Sequence, residues 1–138
     1  MPAQTATAVN PATLASMLGG YIRCALWSST DNSDPETGGD PMDQNYSRED
    51  LAPRTLDRLE RDCAAFLAKF RDMLAEQPGD AEQAGHDLWL TRNGHGTGFW
   101  DRGDDVWTAE ARKAFNAYAN RLAPRDLYVG DDGMIYVM

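Results

Sequence analysis

Apolar positions along the chain fall into periodic blocks separated by clusters of turn-forming residues. Leu14, Met17, Leu18, Tyr21, Ile22, Ala25 and Leu26 recur at i, i+3, i+4, i+7, i+8, i+11 and i+12, the spacing of one helical face. Asn10-Pro11 predicts its start, because Asn caps a helix and Pro suits its first position. Gly19-Gly20 lies inside the stripe and costs roughly 1–2 kcal/mol relative to two alanines. A short helix followed by a strand over residues 21–28 is the competing reading, and residues 28–32 end the element in either case. A second, longer helix is predicted from Pro53 to near Glu76, with Ser47 and Asp50 as a short cap before it. Leu56, Leu59, Cys63, Phe66, Leu67, Phe70 and Leu74 mark its apolar face. Arg54, Arg58, Arg61, Asp62, Lys69 and Asp72 mark the opposite one.

After Gly85 the period changes. Residues 86–91 read as a strand and residues 97–101 as its partner. Arg92-Asn93-Gly94-His95-Gly96 stands between them, and Asn-Gly is a strong hairpin signal because both residues tolerate positive φ. Thr108 then caps a third helix, with Trp107, Ala111, Ala114, Phe115, Tyr118 and Leu122 on one face and Pro124 closing it. A second hairpin follows: residues 126–129, a turn at 130–133, then 134–137. Helices first and hairpins after predict an α+β fold, with about three helices packed on a small antiparallel sheet of two hairpins.

Size and charge narrow this picture. The 138 residues predict a single domain over 1–138, with residues 1–10 a flexible N-terminus. No apolar run approaches the length of a membrane span, and the N-terminus lacks the pattern of a signal peptide. With only Cys24 and Cys63, both read as small core residues, this predicts a cytoplasmic location and no disulfide framework. The net charge of -9 argues against direct binding to a nucleic-acid backbone. That charge is concentrated. Between Asp31 and Asp50 seven acids face one base, Arg48, so the segment carries -6 and all other residues together -3. Asp31, Asp34, Glu36, Asp40 and Asp43 form the acidic surface of an exposed loop expected over residues 31–46. Its plain reading is a solvated loop, and its sharper reading is a surface for a basic partner. It is no EF-hand: counting from Asp31, the sixth residue is Glu36 and the twelfth Met42, where Gly and Glu are required.

Candidate chemistry gathers in residues 86–105. His86, Asp87, Trp89, Arg92, Asn93, His95, Trp100 and Asp101 are the candidate binding residues, set among five glycines from Gly85 to Gly103. His, Asp and Arg supply proton transfer or charge, and Trp a stacking surface. No metal ligand set is assigned, since His86, His95 and Asp101 come without CxxC or HxxxH spacing. Neither the nucleophile motifs nor the phosphate-binding glycine pattern occurs, so no catalytic residue and no cofactor is assigned, and an enzyme is the lesser expectation. The plainer reading of this block is structural, with the aromatics packing a sheet and Asn93-Gly94 making a turn.

Four stretches carry a resemblance: YIRCALWSSTDNS (21–33), NYSREDLAPRTL (45–56), AGHDLWLTRNGHGTGFWDRG (84–103) and DLYVGDDGMIYVM (126–138). Together they resemble a family of small proteins encoded by phages and prophages. The resemblance covers most of the chain beyond its first ten residues, and the 84–103 block is its most specific part. The chain departs from the family mainly in the lengths of the N-terminal and acidic segments. The resemblance implies expression in a bacterial host and assigns no catalytic role to any residue. By analogy with small phage accessory proteins, it implies action by binding a host or phage protein complex, such as restriction or CRISPR machinery. The alternative is a small-molecule or nucleotide-binding protein or enzyme using residues 86–101.

Overall fold

The computed structural model describes residues 10–33 and 39–138. Residues 1–9 of the expected flexible N-terminus, and Asp34 and Glu36 of the acidic loop, lie outside the described residues. Helix α1 runs Pro11–Ser28 without a break. Asn10 Oδ1 accepts from the N–H groups of Ala12 and Thr13 at 2.8 and 3.3 Å, and Pro11 follows as expected of a helix start. The strand reading of residues 21–28 is thereby set aside.

The glycine pair has a packing reason. A Cβ on Gly20 would lie 2.0 Å from the Glu82 carbonyl oxygen, and one on Gly85 would lie 2.0 Å from that of Met17. The two glycines let α1 and the helix containing Glu82 and Gly85 touch backbone to backbone.

That second helix is the main correction to the sequence reading. Residues 81–92 form α3 (Ala81–Arg92), and no hairpin exists at 86–101. Asp80 caps it, its Oδ1 accepting from Gln83 N at 2.9 Å. Leu88, Trp89 and Leu90 are all buried, as are Asp87, Thr91 and Arg92. A helix enclosed on most of its sides shows no polar stripe, and its short apolar run reads as a strand. Asn93-Gly94 does adopt a tight left-handed turn, but at a helix end. Gly94 has φ +66°. Its N–H donates to Thr91 O, and His95 N–H to Leu90 O, which is the Schellman arrangement. Residues 99–101 make one turn of 3-10 helix rather than a strand.

Helix α2 (Pro53–Ala75) buries Leu59, Cys63, Phe66, Leu67, Phe70 and Leu74. Helix α4 (Ala109–Asn120) starts at Thr108, whose Oγ1 accepts from Ala111 N at 3.3 Å. The core centres on Phe66, whose ring stands 5.0–5.9 Å from those of Phe70, Phe99, Phe115 and Tyr118. Trp107 closes it against Phe99 and Phe115.

Two small antiparallel pairs complete the α+β fold. β1 (Thr30–Asp31) pairs with β2 (Asp40–Pro41), and β3 (Leu127–Val129) pairs with β4 (Ile135–Val137). The terminal hairpin is the one expected. Among the described residues four helices dominate, and the strands form two separate sheets instead of one shared sheet. Among the described residues of the acidic segment, Met42 is fully buried in the core. No helix among the described residues is long and apolar enough to cross a membrane.

Candidate binding cleft

The eight residues of the 86–101 block do not converge. Asp87 and Arg92 are absorbed by two buried polar networks. Asp87, fully buried, is the hub of the first. Arg102 Nε and Nη2 donate to its Oδ1 at 3.0 and 2.7 Å, Gln83 Nε2 to the same oxygen at 3.0 Å, and Trp107 Nε1 to Oδ2 at 2.9 Å. Burial pushes this carboxyl up, and the polar groups of His86, Arg102 and Trp107 more than reverse it, so it ionises below the ordinary carboxylate range. Arg102 and Trp107 act at hydrogen-bond distance, whereas His86 Nδ1 stands 3.7 Å away and has no hydrogen-bond partner.

Asp62 is the hub of the second network. It accepts from Arg125 Nε and Nη2 at 2.6 and 2.8 Å, from Arg92 Nη1 at 3.1 Å and from Tyr21 Oη at 2.8 Å. Arg92 also donates through Nε to Ala123 O at 3.0 Å. Burial, then the Asp62 charge, raises the Tyr21 hydroxyl well above its ordinary value, so it remains a proton donor. The sequence pattern places Asp62 on the polar face of α2, yet its side chain is only 11% exposed. Its role, and that of Arg125, Arg102 and Trp107, depends on partners 15 to 63 residues away in sequence, and no local spacing announces them.

The remaining candidates scatter. His86 faces α1, its ring 6.2 Å from that of Trp27, which is 59% exposed. Trp100 is exposed. Asp101 closes its own turn, accepting from Thr97 Oγ1 at 2.6 Å and Gly98 N at 2.8 Å. The Thr97 bond, despite the opposing effect of burial, holds it below the usual carboxylate range. Cys24 and Cys63 are buried and free, and burial pushes the Cys24 thiol up to about 12. Neither sits as an activated nucleophile would. Among the described residues, no three His, Cys, Asp or Glu side chains gather as a metal site would require.

Trp89, Asn93 and His95 do share a site. They line a cleft of about 750 Å³ at one end of the molecule. Trp89 Nε1 donates to Ser28 Oγ at 2.9 Å, and Arg125 N donates to Asn93 Oδ1 at 2.8 Å, so the wall is rigid. Opposite stand Thr30, Asn32 and Ser33, which open the acidic segment, and the strand β3. There Asp31 Oδ1 accepts from Ser33 Oγ at 2.6 Å and Ser33 N at 2.9 Å, which holds its carboxyl below the usual range. Asp40 and Asp43 lie nearby in the chain and are exposed. The cleft therefore joins the only three candidate residues that come together with the start of the acidic surface.

Two helix ends, one acid and one base meet at its walls. The C-terminal ends of α1 and α3 both open on it at Ser28, Ser29 and Asn93, and helix C-termini carry partial negative charge. Asp126 adds a full one. The single Lys or Arg in the lining is Arg125, which shares the Asp62 carboxylate with Arg92. Compared with known proteins, the chain matches no family model, no curated protein and no solved structure.

Proposed function

We propose that this chain is a phage- or prophage-encoded accessory protein that acts inside the bacterial cell by binding. Its partner is a host or phage protein complex of the kind that carries out restriction or CRISPR defence, and no cofactor takes part. The phage origin and the partner's identity rest on the four resembling sequence stretches. Binding rather than catalysis is carried by one observation: Asp87, Arg92 and Arg102 of the 84–103 block are used in structural networks, while the cleft that remains open adjoins the acidic segment that carries Asp31, Asp40 and Asp43. Such a surface recognises a basic patch on a protein, and the same charge repels a nucleic-acid backbone.

The test is affinity capture of the tagged chain from bacterial lysate, compared with a variant carrying Asp31→Lys, Asp40→Lys and Asp43→Lys. A specific partner retained by the native chain at low salt, and lost both in the variant and at high salt, is the expected result. Retention indifferent to salt and to the three reversals overturns the charge-based reading. The second reading, a small-molecule site, is favoured by the volume of the cleft, which falls within the range of ligand pockets. Thermal stabilisation by a metabolite library in the absence of any protein partner would select it.

A further inference from the structure

A second pocket, apart from the cleft, is lined by α1, by His86 of α3 and by residues 43–48, and holds about 620 Å³. Ile22 and Leu26 stand one turn apart on α1, as do Arg23 and Trp27, so an apolar row runs beside a row of longer side chains. Trp27 is 59% exposed, an unusual position for so large an apolar ring. His86 stacks beside it with ring centres 6.2 Å apart, so the indole is backed on one side and open on the other. The other wall carries Asp43, Tyr46 and Arg48. Its backbone is held in place: Met42 is fully buried, Tyr46 N donates to Met42 O at 2.9 Å, and Ser47 N donates to Asp50 Oδ2 at 2.8 Å.

The charges at this pocket differ in whether they are already answered. Arg23 is paired with Glu82 of α3. Asp43 and Arg48 are exposed, and among the described residues neither side chain forms an ion pair or a hydrogen bond. In the larger cleft, by contrast, the Arg125 guanidinium is already bonded to both oxygens of Asp62. The second pocket thus sets one unengaged cation and one unengaged anion beside apolar and aromatic side chains. A purely anionic ligand would be repelled by Asp43, and a purely cationic one by Arg48. A zwitterion answers both, and it brings no net charge into the field of a chain that carries -9.

We propose that this pocket binds a free aromatic amino acid: its carboxylate accepts from the Arg48 guanidinium, its ammonium donates to the Asp43 carboxylate, and its ring packs on the open face of Trp27 beside Tyr46. The inference goes beyond the partner reading above and does not depend on it. An aromatic side chain is selected over an aliphatic one because an offset stack on Trp27 adds to the apolar burial that Ile22 and Leu26 offer to either. A second copy of the chain is a poorer occupant. Across a two-fold axis each copy would bring Asp40, Glu49 and Asp50, which flank this wall in the chain, against the same acids of the other.

The experiment titrates the full chain with L-phenylalanine by calorimetry. Three analogues each lack one feature: 3-phenylpropionate the ammonium, 2-phenylethylamine the carboxylate, and L-leucine the ring. Phenylalanine should saturate one site. The two singly charged analogues should bind at least about tenfold more weakly, the cost of losing one charged hydrogen bond. Leucine should bind at least about threefold more weakly. Arg48→Gln should bring phenylalanine down to the affinity of 2-phenylethylamine, and Asp43→Asn to that of 3-phenylpropionate. Trp27→Leu should remove the preference for phenylalanine over leucine. All three positions are exposed, and circular dichroism checks that each variant keeps its fold.

No saturable binding of phenylalanine at millimolar concentration overturns the inference. So does equal affinity for the singly charged analogues, or phenylalanine binding that ignores both Arg48→Gln and Asp43→Asn. Sedimentation velocity, run alongside, should show a monomer. A dimer that Trp27→Leu dissociates would mean that a second copy fills the pocket, and would also overturn the inference.

Discussion

Single residues in this protein are explained by what they satisfy. Asp87 accepts hydrogen bonds from three side chains inside the core and replaces the water a carboxylate would otherwise require. Because its folded pKa is depressed, its contribution to stability is fully present above the unfolded-state value near ~3.9 and is lost as pH falls through the folded value. Acid should therefore unfold the native chain more steeply than Asp87→Asn, whose side chain cannot ionise. Denaturant midpoints measured from about pH 5 to pH 2 test this, and parallel curves for the two proteins would refute it. The block at residues 84–103 reads as chemistry in the sequence because buried structural polar residues and site residues are the same types. Nothing in the order His-Asp-Leu-Trp distinguishes an Asp aimed at solvent from one aimed at Arg102 and Trp107.

At the scale of elements, the crossing of α1 and α3 decides the fold. Gly20 and Gly85 bring two helix backbones together at a distance no side chain would permit. Gly85→Ala should destabilise the protein by about 2–4 kcal/mol, since the added methyl meets backbone atoms that have nowhere to move. Gly94→Ala is the contrast. A Cβ there meets nothing within 4 Å, so only the cost of positive φ remains, about 1–2 kcal/mol. Urea denaturation of both variants checks the order, and a Gly85→Ala cost no greater than that of Gly94→Ala would disprove the close crossing. The caps of α1 and α4, the face of α2 and the terminal hairpin were legible in the sequence because each depends on neighbours within a few residues. α3 was not. Its apolar run is too short and too fully buried to display a helical period, and an Asn-Gly pair serves a helix end as readily as a hairpin.

For the whole molecule, Asp62 is the tie. It joins α1 through Tyr21, α3 through Arg92 and the approach to β3 through Arg125, while itself standing on α2. Asp62→Ala would leave Arg92 buried with its carboxylate removed, and should cost about 3–5 kcal/mol. It should also loosen the wall of the cleft, because Arg125 N is bonded to Asn93 and Arg125 itself to Asp62. Thermal unfolding with hydrogen exchange at residues 123–129 measures both effects. A loss below about 1 kcal/mol with unchanged exchange would show that the network carries no such load.

The sequence by itself determined the helical and hairpin elements with local signatures, the α+β class, and the concentration of charge in one segment. Each follows from period, capping or turn chemistry that acts over a few residues. Only the tertiary structure decided that α3 is a helix, that Asp62 and Asp87 are interior hubs, and that three candidate residues meet the acidic segment across one cleft. Those outcomes depend on burial from several sides and on partners tens of residues apart, and neither leaves a trace in local order.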